Sequence, residues 1–321
     1  MNHPNANTLT TPKSGPRAAF SRRAALAGGI GAALAVTFPL TASATSTAYA
    51  AAPRTDDAAR QLRALERRFN ARLGVFGYDT GSGSRVAYRA DELFPMCSTS
   101  KTPAVGAVLR DLDRDGTYLS KVIRYGQADV DRSGYAPITG LPENLAQGMT
   151  VSDLCGAAIS YSDNTAMNLL LGELGGPTAV TRFCRSLGDT VTRLDRYEPE
   201  LNSAEPGRTT DTSSPSALGT TYARLALGRA LDPAHRRLMN GWLLGNTTGD
   251  KRIRAGVPQD WTVGDKTGTG RHGTTNDAGI AWPPGRSPIV LSVLSTQPDE
   301  AAGPLDALVA EAASVVATTL G

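Results

Sequence analysis

Strand-like alternation occurs near the two ends of this 321-residue chain and gives way between them to helical spacing. That division restricts the fold more than any other feature of the sequence. Gly74 to Tyr88 alternates around Gly81-Ser82-Gly83-Ser84 and reads as a hairpin, while Trp261 to Thr269, Asn276 to Trp282 and Ile289 to Thr296 read as strands joined by turns such as Pro283-Pro284-Gly285. Outside the strands lie two amphipathic helices. Asp56 to Leu73 places Ala58, Leu62, Leu65, Phe69 and Leu73 at helical spacing, and Leu305, Leu308, Val309, Ala312, Val315 and Val316 form one apolar face near the C-terminus. From Ser98 to Arg237 the pattern is helical, punctuated by Gly148, Gly175-Gly176-Pro177, Gly188 and Asp232-Pro233. Thr150 and Asp153 are spaced to cap one helix start, and Pro177 to open the next. Strands and helices from both ends therefore enclose a helical insertion.

The first 50 residues stand apart from this pattern. Lys13, Arg17, Arg22 and Arg23 precede an apolar stretch, Ala24 to Leu40, interrupted by Thr37 and Pro39, and Ala48-Tyr49-Ala50 has the small-x-small form of a cleavage site. Met1 to Ala50 reads as an export signal, with Arg22-Arg23 pointing to the twin-arginine route, and not as a stable membrane anchor, for which the stretch is short. Its removal takes away four of the 33 Lys and Arg and none of the 30 Asp and Glu. The rest of the chain is nearly neutral, so neither nucleic acid nor an anionic membrane is expected as a partner, and a secreted monomer is. Cys97, Cys155 and Cys184 are too few and too scattered for a zinc site; three buried thiols are expected, with one disulfide plus one free thiol as the alternative.

Within the insertion, Met96-Cys97-Ser98-Thr99-Ser100-Lys101-Thr102 sets a lysine three residues after a serine. If a helix begins near Cys97, the Lys101 amine stands beside the Ser98 hydroxyl, and the free N–H groups of the helix start face an oxyanion formed there. Alone, the pair says little. Two features give it weight: the chain after residue 50 has only four lysines, Lys101, Lys121, Lys251 and Lys266, and the flanks Phe94, Pro95, Met96, Val105, Val108 and Leu109 are apolar, which favours a half-buried amine with a perturbed pKa. Other chemistries lack their residues. There is no G-x-S-x-G, H-E-x-x-H, phosphate-binding loop or Gly-rich dinucleotide turn, and His235 and His272 sit among polar residues and read as surface loops. No metal and no cofactor is expected.

Ser162-Asp163-Asn164 follows the helical run Val151 to Ser160, and Lys266-Thr267-Gly268-Thr269 lies on a late strand. With Ser98-x-x-Lys101, in this order, the set resembles the three signatures of the penicillin-recognising serine enzymes. Arg196-Tyr197-Glu198-Pro199-Glu200-Leu201-Asn202 is similar to the Ω-loop signature of class A β-lactamases in particular, and the likeness runs from about Arg54 to the C-terminus. It implies an α/β (α+β) fold. An antiparallel sheet flanked by helices would be formed by residues 54–92 and 245–321, and residues 93–244 would form an inserted all-helical domain that includes the Ω-loop at about 193–211.

The resemblance also implies a task for each residue, with small-molecule β-lactams as the partners. Ser98 would attack the lactam carbonyl, with Lys101, or Glu198 through a water, accepting its proton. The N–H groups of Ser98 and Thr269 would hold the oxyanion, and Ser162 would pass a proton to the leaving nitrogen. Lys266, Thr267 and Thr269 would bind the drug's carboxylate, and Gly268 would let the acyl part lie close to the strand. Asn164 would hydrogen-bond the side-chain amide of the substrate, and Tyr135 would wall the mouth. Glu198 and Asn202 would hold the water that cleaves the acyl-enzyme, on a loop closed by an ion pair between Arg196 and Asp211.

The chain departs from the family pattern in places. Thr275 stands where many members carry a substrate-binding arginine, and Arg252 occupies an alternative position for that guanidinium. Gly270 stands where carbapenem-hydrolysing members place a cysteine, so Cys97 lacks that partner, and Val105 stands where a partner for Cys155 would be. Pro103 permits a kink in the nucleophile's helix. Besides a hydrolase that confers resistance to penicillins and cephalosporins, a D,D-peptidase or penicillin-binding protein and a non-hydrolysing β-lactam sensor share the first three motifs. The presence of Glu198 with Asn202 argues for the hydrolase.

Overall fold

The structure, a computed structural model, describes residues 52–321, so the export signal lies outside the described residues. Helix α1 (Ala52–Phe69) leads into the hairpin of β1 (Arg72–Asp79) and β2 (Arg85–Tyr88). The short strand β3 (Phe94–Pro95) precedes a 3-10 turn, Cys97–Ser100, which continues as α2 (Lys101–Ala107). Next come β4 (Val122–Ile123), α3 (Gln127–Ser133), α4 (Pro142–Gln147), β5 (Met149–Thr150), α5 (Val151–Ser160), α6 (Asn164–Glu173) and α7 (Thr178–Ser186). A long loop is followed by β6 (Thr212–Ser213), α8 (Pro215–Ala226), α9 (Pro233–Leu244) and α10 (Ile253–Gly256). Strands β7 (Thr262–Gly270), β8 (Thr274–Trp282) and β9 (Ile289–Thr296) and helix α11 (Asp306–Leu320) complete the chain.

Five strands form one antiparallel sheet in the order β2-β1-β9-β8-β7. The two ends of the chain meet in its middle, where Leu73 pairs with Ser295 and Tyr78 with Val290. Alternation along β1 decides which helix each side of the sheet meets. A Cβ on Gly77 would touch Val316 of α11, whereas one on Gly74 would touch Phe94 and Pro215, at the start of α8. Leu62, Leu73, Val75, Leu291, Val309 and Val316 belong to a core between the sheet and helices α1 and α11. Val105, Leu154, Leu170, Phe183, Leu225 and Leu243 belong to a second core among the helices. At about 1.5–3 kcal/mol for each fully buried aliphatic side chain, both cores are stiff supports for what lies between them. β7 is an edge strand, and the turn Cys97–Ser100 packs against it.

Local chemistry explains the boundaries. Thr150 caps α5, its hydroxyl accepting the Asp153 N–H at 3.1 Å, and Gly83 turns the hairpin at φ +75°. Leu73, counted from periodicity on the first helix, lies instead on β1, because Asn70 adopts a left-handed φ of 47° and ends α1 at Phe69. Pro103 falls in the first turn of α2, where a missing N–H is tolerated. His235 is not a surface-loop residue. It sits in the first turn of α9 with Nε2 2.7 Å from Asp113 Oδ2 and Nδ1 2.6 Å from Asp232 Oδ2. His272 does lie in a turn, between β7 and β8. The three cysteines are free and buried, and burial pushes the Cys184 thiol up to about 12. Among the described residues no helix is long and apolar enough to cross a membrane.

Candidate active site

Ser98 stands on a 3-10 turn rather than in an α-helix, yet the three-residue spacing still brings Lys101 Nζ to 2.7 Å from Ser98 Oγ. Cys97, just before it, and Ser162, across the cleft, both hold left-handed backbone, at φ 48° and 59°. Such conformations cost on the order of 1–3 kcal/mol each and persist only where packing imposes them. Lys101 is fully buried, and its ammonium also donates to Ser162 O at 2.9 Å and Asn164 Oδ1 at 2.7 Å. Its countercharge is Glu198, whose Oε1 lies 2.8 Å away.

The Ser162-Asp163-Asn164 stretch turns from α5 into α6. Asp163 caps α6 by accepting the Ala166 N–H at 2.8 Å, and its other oxygen takes the N–H groups of Ile138 at 3.0 Å and Thr139 at 2.9 Å. This fixes the segment that follows Tyr135, whose carbonyl accepts the Asn164 N–H at 2.8 Å. The Asn164 amide also donates to Ser133 O at 3.1 Å, so both of its ends are engaged.

The Ω-loop is closed as its sequence implies: Arg196 Nε meets Asp211 Oδ2 at 2.5 Å, and Asp211 Oδ1 accepts the N–H groups of Asp195 at 2.7 Å and Arg196 at 3.0 Å. Glu205, not singled out beforehand, adds a second carboxylate to Arg196 at 3.2 Å. The Ser203 hydroxyl and the Arg196 guanidinium hold the Glu205 carboxyl at about 2. On the inner side of this loop Glu198 is buried and its Oε2 accepts from Asn202 Nδ2. Asn202 Oδ1 has no protein partner. The Glu198–Pro199 peptide is cis. Asn168 clamps the Glu198 backbone from α6, accepting its N–H at 2.9 Å and donating to its carbonyl at 2.8 Å. A signal for Asn168 exists in the sequence, since it lies four residues after Asn164 and so on the same helix face.

Opposite, edge strand β7 presents the Lys-Thr-Gly-Thr stretch. Lys266 is fully buried, and its Nζ donates to Ser162 Oγ at 3.0 Å and Thr267 O at 2.9 Å. Burial, reinforced by the Lys101 charge, pushes the Lys266 amine well below the usual lysine range. Gly268 has a reason that the resemblance did not give: a Cβ there would sit 2.7 Å from Met96 O and 3.2 Å from Thr99 N, so only glycine lets the Ser98 turn close on the strand. A Cβ on Gly270 would lie 2.6 Å from both Cys97 Sγ and Asn202 O.

Arg252, expected to present its guanidinium to the substrate carboxylate, lines the cleft and is held on several sides. It is only 6% exposed, and four of its five N–H groups are engaged. Nε donates to Asp306 at 2.7 Å, Nη1 to the carbonyls of Gly268 at 2.9 Å and Asn276 at 2.8 Å, and Nη2 to Thr269 Oγ1 at 2.8 Å. It therefore holds the strand from behind while one edge lines the cleft. Thr275 is fully buried, its hydroxyl donating to Gly273 O at 2.9 Å, and offers nothing to the site.

The cleft so formed has a volume of about 280 Å³ and is lined by eight of the twelve expected residues, with Lys101, Glu198, Lys266 and Gly268 outside its lining. Thr248 joins the lining, its hydroxyl 2.5 Å from that of Thr267; no motif pointed to it. A larger cavity of about 1050 Å³, between the end of α1 and residues 204–209 of the Ω-loop, contains none of these groups. A serine with a buried lysine and a buried carboxylate in direct succession, beside a cleft with a cationic wall, is equipped for acyl transfer to and from an anionic substrate.

Comparison with known proteins agrees with this chemistry. A family model described as the beta-lactamase enzyme family matches residues 57–320. The chain is 60% identical over 306 residues to a β-lactamase of Streptomyces albus G, covering 94% of this chain and 98% of that one. The solved structure of the Streptomyces albus G β-lactamase matches with a TM-score of 0.82 at 64% identity, over 83% of this chain and 100% of the other. A carbapenem-hydrolysing β-lactamase, KPC, of Klebsiella oxytoca is 47% identical over 275 residues, 85% of this chain and 92% of that protein. The chain belongs to the β-lactamase enzyme family, as a serine β-lactamase of class A.

Proposed function

We propose that this β-lactamase opens the ring of penicillins and cephalosporins by acyl transfer to Ser98 and then hydrolyses the ester, destroying the antibiotic. The observation that carries the reading is the unbroken contact from Ser98 Oγ through Lys101 Nζ, at 2.7 Å, to Glu198 Oε1, at 2.8 Å. Glu198 takes a proton from Lys101, and Lys101 takes the hydroxyl proton of Ser98 as Oγ bonds to the lactam carbonyl carbon. The N–H groups of Ser98 and Thr269 receive the oxyanion. As the C–N bond breaks, Ser162, within reach of both lysines, delivers a proton to the leaving nitrogen and is reprotonated by Lys101, which recovers its proton from Glu198, so that Glu198 is a carboxylate again when the ester forms. Lys266, Thr267 and Thr269 hold the substrate carboxylate, with Arg252 keeping the strand in place, and Asn164 and Tyr135 meet the side-chain amide.

Deacylation separates a hydrolase from a trap. Glu198 and Asn202, whose Oδ1 is unpaired, hold a water against the ester carbonyl, and Glu198 removes its proton. Glu198→Gln keeps the size and loses the base, so deacylation slows by at least about 10²-fold. Mass spectrometry of this variant with benzylpenicillin is expected to find a stable adduct on the peptide containing Ser98; near-parental turnover without an adduct would assign the water to another residue. Export through Met1 to Ala50, and action as a secreted monomer, are proposed on the sequence of that segment; N-terminal sequencing of the exported protein tests the cleavage after Ala50.

A further inference from the structure

Behind the Lys266 strand lie two carboxyl groups that the hydrolysis does not use. Asp265 precedes Lys266 on β7, and Asp277 is on β8; the register pairs Asp265 with Gly279 and Thr267 with Asp277, which makes the two acids diagonal neighbours on one face of the sheet. Both are fully buried. One oxygen of each is well served. Asp265 Oδ1 accepts from Arg254 Nη2 at 2.7 Å and Asn246 Nδ2 at 3.1 Å, and Asp277 Oδ2 accepts the Ile253 N–H at 3.0 Å. The other oxygens, Asp265 Oδ2 and Asp277 Oδ1, are buried with no donor to meet them, and the diagonal register sets the two side chains beside one another. Two carboxylates have no hydrogen to share; a carboxylic acid and a carboxylate do.

We propose that Asp277 is a protonated positioning residue of this enzyme, donating its O–H to Asp265 while its second oxygen holds the Ile253 N–H, so that one proton bolts the strand of Lys266 to the turn that carries Arg252. The location of the proton follows from the surroundings. Burial and the Asp265 charge push the Asp277 carboxyl well above the usual carboxylate range, while Arg254 favours the anion at Asp265. The other charged or titratable groups facing the pair are Lys266 on β7, Arg252, whose guanidinium is itself matched by Asp306, and the neutral Tyr222 of α8. Loss of the bolt loosens both the Ile253 N–H contact and the seat of Lys266, and the effect reaches the substrate through its carboxylate. The proposal rests on the assignment of Lys266 and its strand to that carboxylate.

Asp277→Asn supplies an N–H in place of the O–H and does not titrate, whereas Asp277→Ala removes the bolt. The asparagine variant is expected to keep KM and kcat for benzylpenicillin within about threefold, and the alanine variant to raise KM by at least about tenfold with a smaller change in kcat. Infrared difference spectra at neutral pH, parent minus Asp277→Asn, are expected to contain the carbonyl stretch of a protonated carboxylic acid. The pH dependence adds a third arm. The folded parent keeps the Asp277 proton that the unfolded chain releases near pH 3.9, so its stability falls as pH rises above about 4 until the folded group ionises. The melting-temperature gap in favour of Asp277→Asn therefore widens with pH across that window. A spectrum with carboxylate bands only, or an asparagine variant as impaired as alanine, overturns the proposal. Should the alanine variant fail to fold, the infrared and asparagine arms still decide. An acid band together with a KM that does not respond to Lys266→Ala would instead refute the carboxylate assignment and leave the shared proton standing.

Discussion

Lys101 and Lys266 approach the same residue, Ser162, from opposite walls of the cleft, one from the helical side and one from the sheet edge. Both are fully buried, but their company differs. Lys101 has a carboxylate at 2.8 Å, so its charge is balanced before any substrate arrives. Lys266 has only a hydroxyl and a carbonyl as hydrogen-bond partners, with Asp265 and Asp277 near but not in contact with its amine, which burial and Lys101 push well down. In the proposed mechanism the cation at the bond-making step is thus compensated by the protein, and the cation assigned to the substrate carboxylate is left for the substrate to compensate. A desolvated cation without a partner is costly to keep and favourable to pair, which ties affinity to the presence of an anion on the ligand.

Lys101→Ala attacks the balanced half and carries the largest expected effect. It leaves Glu198 buried without its cation, a loss of about 3–5 kcal/mol for a broken buried pair, and slows acylation by at least about 10²-fold. Melting temperature and single-turnover acylation measure the two parts; near-parental acylation would remove Lys101 from the proton route. Lys266→Ala attacks the other half. A lost charge-assisted contact of about 1.5–3 kcal/mol raises KM for benzylpenicillin by roughly ten- to 150-fold, with kcat far less altered. In the parent, kcat/KM is expected to fall on the alkaline side before the ordinary lysine range near 10.4, because free Lys266 loses its proton early. The kcat profile lacks that limb, since the bound carboxylate restores the charge. Equal limbs in both profiles would break the comparison.

Arg252→Ala sharpens it. A guanidinium that acts by holding Gly268 and Thr269 should lower the melting temperature and raise KM together, by about 1–3 kcal/mol; a rise in KM with unchanged stability would mean direct contact with the substrate. The smallest effect is expected of Asn168→Ala, which frees the Glu198 backbone at the cost of about 1 kcal/mol for each hydrogen bond. Deacylation should slow several-fold while acylation stays put, and a rapid-quench measurement of both steps separates them.

What the sequence made legible was local in origin. Ser98 and Lys101 share a turn, Ser162 and Asn164 sit at one helix junction, and Lys266 to Thr269 share a strand, so short spacings carried these groups to their places. The strands and the two outer helices were equally readable from apolar periodicity, apart from Leu73, where one residue with positive φ moved the boundary. Groups whose placement depends on distant segments were not readable. The burial of Arg252 requires Asp306, 54 residues away, and the contact of Thr248 with Thr267 spans 19. His235 looked solvated because its partner Asp113 lies 122 residues earlier. Periodicity reports which face of an element is apolar and is silent on which polar group another element brings to it.

The pairing of β1 with β9 also has a consequence in time. Asp79 waits for Ile289 and Arg72 for Thr296. At about 5–20 residues per second, synthesis of the intervening chain takes roughly 10–40 s, during which the hairpin exists without the strand that belongs beside it. Leu73 and Val75 have no helix α11 to cover them until the last turns of the chain emerge. The helical insertion is synthesised long before, but α8, α9 and the Cys97–Ser100 turn still lack the late strands β7, β8 and β9 against which they pack. A ribosome-bound chain of this protein thus carries helices that still lack their sheet next to a bare β-edge, and it is the final segment to be made that ends the exposure of both.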